Sequence, residues 1–155
     1  MENLSTITCG TFLEELASKA PTPGGGAASA LCGAVAAALT AMLANLTVGK
    51  AGSEENEQQT AQIIAAAGKL REELTALADD DAAVFSKFMA AYKMPKTTDE
   101  EKAARTAAIQ QAAVAAADVP MQIAEKSMEG LLLARRIIVT RNPNAISDGT
   151  GSALV

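Results

Sequence analysis

Between Ser53 and Tyr92 the apolar positions repeat with a helical period. Ile63, Ala67, Leu70, Leu74, Leu77, Val84 and Phe88 follow in steps of four and three, with one slot passed over between Leu77 and Val84. Such steps keep side chains on one face of an α-helix. The spacing therefore predicts a helix from about Ser53 to Tyr92, stopped by Pro95.

An uncharged run extends from Lys19 to Lys50 and predicts a second helix from about Gly26 to Thr47. Leu31, Val35, Leu39 and Leu43 form one stripe of large residues on it, and Ser29, Gly33, Ala37 and Ala41 a parallel stripe of small ones. Large residues fill a core, whereas small ones let another helix approach closely. A bilayer span is the competing reading of so long an apolar run. Ser29, Thr40, Asn45 and Thr47, the surplus of Ala over Leu, Ile and Phe, and the lack of an aromatic belt argue instead for a soluble bundle or a subunit interface.

Start and stop signals mark the remaining elements. Thr11-Phe12-Leu13-Glu14 fits a capping box and predicts a short first helix with Leu13, Leu16 and Ala17 on one side, ended by Pro21 and Pro23. Thr98-Asp99-Glu100-Glu101 is a second capping box. It opens a last long helix that Pro120 is expected to kink or break, Gly130 to weaken, and Asn142 and Pro143 to close. Four or five helices without a strand or a repeat predict one all-α domain over residues 1–155, a helical bundle with long, partly kinked helices.

Composition then removes classes of chemistry. The chain has no histidine, so no imidazole base, Ser-His-Asp set or His-ligated metal is expected. Proton transfer falls to Asp, Glu, Lys, Tyr or Cys. A net charge of -5 argues against a nucleic-acid partner. Cys9 and Cys32 form neither a redox pair nor a zinc set, and Cys32, inside the apolar run, reads as a small buried hydrophobe. Residues 1–8 lack the basic start and apolar core of a signal peptide, which predicts a cytoplasmic protein.

Two features carry candidate chemistry. Thr22-Pro23-Gly24-Gly25-Gly26 precedes the second helix, but no strand leads into it, Ser29 stands where a dinucleotide motif needs its last Gly, and Ala44 stands where a phosphate loop ending at Gly49-Lys50 needs its first. The turn is either a flexible link or a seat where unsatisfied first-turn amides hold a carboxylate or another electron-rich group. The second feature is the slot passed over in the third helix, which is Asp81. Of Asp79, Asp80 and Asp81 only the last falls on the apolar seam, and the other two are expected in solvent. A carboxylate there is costly without a partner. It is either a general acid–base or a structural group, neutralised by a buried Lys or capping a neighbouring helix.

The segments "PTPGGGAASALCGAVAAAL", "ANLTVGK", "DDDAAVFSKFMAAYKMPK" and "NPNAISD" together resemble the formiminotetrahydrofolate cyclodeaminase / methenyltetrahydrofolate cyclohydrolase family. The resemblance implies an all-α homodimer that binds folate in a cleft near the subunit interface, with no metal or redox cofactor. It implies conversion of formiminotetrahydrofolate to methenyltetrahydrofolate with release of ammonia, or hydrolysis of methenyl- to formyltetrahydrofolate. A non-catalytic folate-binding dimer would use the same fold. The family's motifs fall on Pro23, Gly24, Gly25 and Gly26, on Asn45, Leu46, Thr47, Gly49 and Lys50, on Asp81, and on Ser147 and Asp148. By this resemblance Asp81, Lys50 and Asp148 are the catalytic candidates, and the glycine turn, Asn45, Thr47 and Ser147 contact substrate. Similar chains continue beyond "SALV", so the family's C-terminal helices are expected to be absent here.

Overall fold

Thr98 and Glu101 cap the longest helix reciprocally. The Glu101 amide donates to Thr98 Oγ1 at 3.2 Å and the Thr98 amide to Glu101 Oε2 at 3.2 Å. In the computed structural model, which describes residues 4, 6–50 and 53–139, this cap opens the last of four helices. They are α1 (Cys9–Leu16), α2 (Gly25–Thr47), α3 (Glu54–Tyr92) and α4 (Asp99–Val139), and the described residues contain no strand. The all-α expectation stands.

Local chemistry explains the boundaries. Ser53 caps α3 by accepting from the Asn56 amide at 3.2 Å, while Glu54, Glu55 and Glu57 place negative charge at the helix's positive end. α2 stops at Gly49, whose φ of 74° lies in the left-handed region that favours glycine. α1 departs from expectation. Its cap is Thr8, whose hydroxyl accepts from the Thr11 amide at 3.1 Å, and Phe12 is buried while Leu13 is 55% exposed. The helix thus starts a turn earlier and turns a different side inward. α4 is helical through Pro120, so of the kink or break expected there the break does not occur. Asn142 and Pro143 lie outside the described residues.

Chain contacts divide the protein into two units, residues 1–29 with 76–122, and residues 30–75 with 123–155. In the first, Leu4, Phe12, Ala27, Leu77, Ala78, Ala82, Ala91 and Val119 are buried. The C-terminus of α3 is closed by Arg105, whose Nε and Nη2 donate to the Tyr92 carbonyl at 3.2 and 3.0 Å while its guanidinium lies 4.8 Å from the Tyr92 ring centre. In the second unit, Leu43, Ala44, Ile63 and Ile137 form a cluster flanked by Ile64 and Leu133. The Cα of Gly33 sits so near α3 and α4 that a methyl group there would lie 3.1 Å from both Leu74 Cδ1 and Ser127 Oγ.

The inward side of α2 differs from the stripes predicted. Its buried positions are Ala27, Ala30, Ala34, Ala37, Thr40, Leu43, Ala44 and Thr47, whereas Val35 is 52% exposed and Leu31 and Leu39 are half-buried. Small residues bring helix axes close, so the alanines take the interior and most of the larger side chains stay outside. The same rotation leaves Cys32 exposed rather than buried. Thr40 and Thr47 are accommodated because their hydroxyls donate to Ala36 and Leu43 carbonyls of their own helix, both at 2.9 Å. By length and composition α2 could cross a membrane; the buried alanines and threonines give it a protein-facing side.

Candidate functional site

The glycine turn and Asp81 meet in the first unit. Gly24 accepts the first helical hydrogen bond of α2, from the Ala28 amide at 3.0 Å. It therefore holds the cap position, where Ser, Thr, Asp or Asn normally supplies a side-chain acceptor to the amides of the first turn. Glycine has none. Asp81, from α3, takes that place: its Oδ2 accepts from the Ala27 amide at 3.0 Å. The carboxylate also places negative charge at the positive end of a 23-residue helix, a favourable interaction of about 0.3–1 kcal/mol where partly exposed.

This arrangement explains one of the three glycines sterically. A methyl group on Gly26 would overlap the Asp81 carboxyl group, whereas one on Gly24 would come no nearer than 4.0 Å to the Pro21 carbonyl and one on Gly25 would meet nothing within 4 Å. Pro23 is buried and follows a cis peptide bond from Thr22. Asp81 caps a neighbouring helix through Oδ2, one of the structural roles open to it, and this leaves Oδ1 available for acid–base chemistry. The seat for an electron-rich group at the start of α2 is occupied by a carboxylate of the protein itself. Asp81 is half-buried, with Oδ1 holding no hydrogen bond among the described residues.

Asp80 is exposed as expected, but Asp79 is not a solvated side chain. It is half-buried and its Oδ1 accepts from the Leu4 amide at 2.6 Å, tying the N-terminal segment to α3. That role had no signal in the periodicity, because the partner is a backbone amide 75 residues away.

Asn45, Thr47 and Lys50 belong to the second unit. Asn45 is exposed and its Nδ2 donates to the Ala41 carbonyl at 2.8 Å; Thr47 is buried with its hydroxyl on the Leu43 carbonyl; Lys50 is exposed, just past the left-handed Gly49. Ser147 and Asp148 lie outside the described residues. Among the described residues no three His, Cys, Asp or Glu side chains are grouped to hold a metal ion.

Each unit also has a groove. That of the first, about 500 Å³, is lined by Val84, Lys87, Ala91, Met94, Gln111 and Ala115 among others. That of the second, about 390 Å³, includes Lys69, Glu73, Lys126, Glu129 and Arg136. Lys126 Nζ pairs there with Glu73 at 3.0 Å and Glu129 at 3.2 Å. Its hydrogen bond to Glu73 holds the lysine above its ordinary range, and the same bond holds the Glu73 carboxyl below its own. Sequence spacing missed these groups because each is a single charged residue on a helix rich in them.

Known proteins resemble this chain in sequence and fold. The formiminotransferase-cyclodeaminase family profile matches residues 8–155. A methenyltetrahydrofolate cyclohydrolase of Methylorubrum extorquens is 47% identical over 91% of this chain and 68% of its own length. A formimidoyltransferase-cyclodeaminase of Gallus gallus is 33% identical over 81% of this chain, which spans 23% of that longer protein. The crystal structure of formiminotetrahydrofolate cyclodeaminase from Thermotoga maritima superposes with a TM-score of 0.81 at 32% identity, covering 95% of this chain and 69% of the other. The chain belongs to the formiminotransferase-cyclodeaminase family of folate one-carbon enzymes.

Proposed function

We propose that the chain hydrolyses methenyltetrahydrofolate to formyltetrahydrofolate. The observation that carries this choice is the 47% identity to a methenyltetrahydrofolate cyclohydrolase over 91% of the chain. Cyclodeamination, the first expectation from the sequence, is the second reading, favoured by the fold match to the cyclodeaminase of Thermotoga maritima.

Both reactions pass through a tetrahedral carbon between two folate nitrogens, and one carboxylate serves either. In hydrolysis Asp81 takes a proton from water as its oxygen bonds to the methenyl carbon. The bond to one nitrogen then breaks as the remaining hydroxyl becomes the formyl carbonyl, its proton passing to that nitrogen, and Asp81 releases its own to solvent. In cyclodeamination Asp81 takes the proton of the attacking amine and returns it to the departing ammonia. Oδ1, which holds no hydrogen bond among the described residues, suits this exchange while Oδ2 stays on the Ala27 amide. Lys50 and Asp148 are the further candidates to orient substrate, with Asn45, Thr47, Ser147 and the turn Pro23–Gly26 as binding candidates. No metal or redox cofactor is required by these steps.

The same reading includes a cytoplasmic homodimer. Apolar side chains without cover support the dimer: Val114 and Met121, seven residues apart on α4 within the first unit, are 73% and 61% exposed.

Ultraviolet absorbance of methenyltetrahydrofolate, followed with purified chain, decides between the reactions. Accelerated loss of the methenyl band in buffer free of ammonia, with formyltetrahydrofolate as product, is the expected result. Formation of that band from formiminotetrahydrofolate, without hydrolysis, would transfer the proposal to cyclodeamination. Neither activity, with folate still bound, would make the chain a folate-binding protein only.

A further inference from the structure

We infer that Gly26 is a positioning residue for the reaction, holding the Asp81 carboxylate in place by having no side chain; the inference rests on the proposed proton transfer by Asp81. Within the turn only Gly26 is under steric constraint. A methyl group at Gly26 would meet three atoms of one carboxyl group, Oδ1, Cγ and Oδ2 of Asp81. That group cannot swing aside cheaply, because Oδ2 is held by the Ala27 amide at 3.0 Å, on the next residue of the chain. Any side chain at position 26 therefore pushes the carboxylate off the amide, moving Oδ1 with it. Gly24 and Gly25, with open space at their Cα atoms, are under no such demand. The resemblance to known sequences treats the turn as one substrate-binding unit. The geometry divides it: Gly26 faces an internal carboxylate, and Gly24 and Gly25 do not.

Displacement of a reacting group by about 1 Å costs on the order of 10²-fold in rate. Gly26→Ala is therefore expected to lower kcat by about that factor with little change in KM for methenyltetrahydrofolate. A purely structural glycine would give losses that multiply with those at Asp81. A positioning glycine gives none beyond the loss at Asp81, so the Gly26→Ala/Asp81→Ala double variant should turn over no more slowly than Asp81→Ala alone. It should also melt no lower than Asp81→Ala, since the clash is gone, whereas Gly26→Ala alone melts below the parent chain. If Gly26→Ala fails to fold, a folded double variant supports the inference and an unfolded one overturns it. Full kcat in Gly26→Ala, or a rise in KM alone, overturns it while the Asp81 reading stands, provided Asp81→Ala is inactive. Full turnover in Asp81→Ala overturns both.

Discussion

The Ala27 amide and the Asp81 carboxylate meet at 3.0 Å, bringing together residues 54 apart in sequence. Two features that look unrelated along the chain, a glycine turn and an acid on an apolar seam, are halves of one contact. Gly24 at the cap position leaves the helix amides without a local acceptor, and the acid supplies one from another helix.

Asp81→Asn tests both roles of that acid. The amide oxygen of Asn can still accept from Ala27, but it carries no charge and exchanges no proton near neutrality. Turnover is expected to fall by ~10²–10⁴-fold, the usual contribution of acid–base catalysis. A buried, unpaired carboxylate would gain stability on neutralisation. Asp81 is instead half-buried and set at a helix N-terminus, so a small loss is expected, about 0.3–1 kcal/mol by denaturant unfolding. Asp80→Asn, at an exposed position, should change neither. Wild-type turnover in Asp81→Asn would remove the acid from the mechanism and point to Lys50 or Asp148.

The helices and their order were legible because caps, prolines and apolar steps are local signals. Asp81 was legible as the odd member of a regular face, and Ile63, Ala67, Leu70, Leu74 and Leu77 of that face are buried. Which way α2 turns was not legible. Its sequence offers apolar residues on every side, so periodicity cannot choose, and the choice is made by how near the alanines let α3 and α4 approach. The pairing of Asp79 with the Leu4 amide was hidden for another reason, since any backbone amide looks alike in sequence.

Close approach makes Gly33 intolerant. A methyl group there already lies 3.1 Å from Leu74 Cδ1 and Ser127 Oγ, and Gly33→Leu should cost roughly 1–3 kcal/mol by overpacking. Gly68, inside α3, has nothing within 4 Å of where a methyl group would sit. Gly68→Ala should therefore stabilise by about 0.5–1 kcal/mol through helix propensity. Equal melting temperatures for the two variants would refute the packing described for α2.

The Lys126 bridge gives stability a pH dependence of known sign. Its hydrogen bond lowers the Glu73 carboxyl from the usual 4.5, so the folded state gains from ionised Glu73 above that value and loses the gain as pH falls through the lowered one. Lys126, raised from 10.5, keeps its side of the pair below that value and loses it as pH rises further. The parent chain should melt above Glu73→Gln between these limits, and the two curves should converge in acid. An advantage that persists in strong acid would show that Glu73 stabilises by packing rather than by charge.

The exposed apolar side chains of α4 lead to the last expectation. Val114 and Met121 of the first unit project from one side of the helix, seven residues apart, and both are more than half exposed. Single exposed apolar residues are ordinary, but two large ones on the same side of a helix are a candidate contact for the proposed dimer. If a second copy of the chain covers them, Val114→Lys with Met121→Lys forces two charges into the seam. The expected result is a dissociation constant raised at least ~10-fold, about 1.4 kcal/mol, in analytical ultracentrifugation. Helix content by circular dichroism should be unchanged, because neither side chain is buried within the chain. Sedimentation that is the same for parent and variant, whether both are monomers or both dimers, would show that these side chains are not the dimer contact.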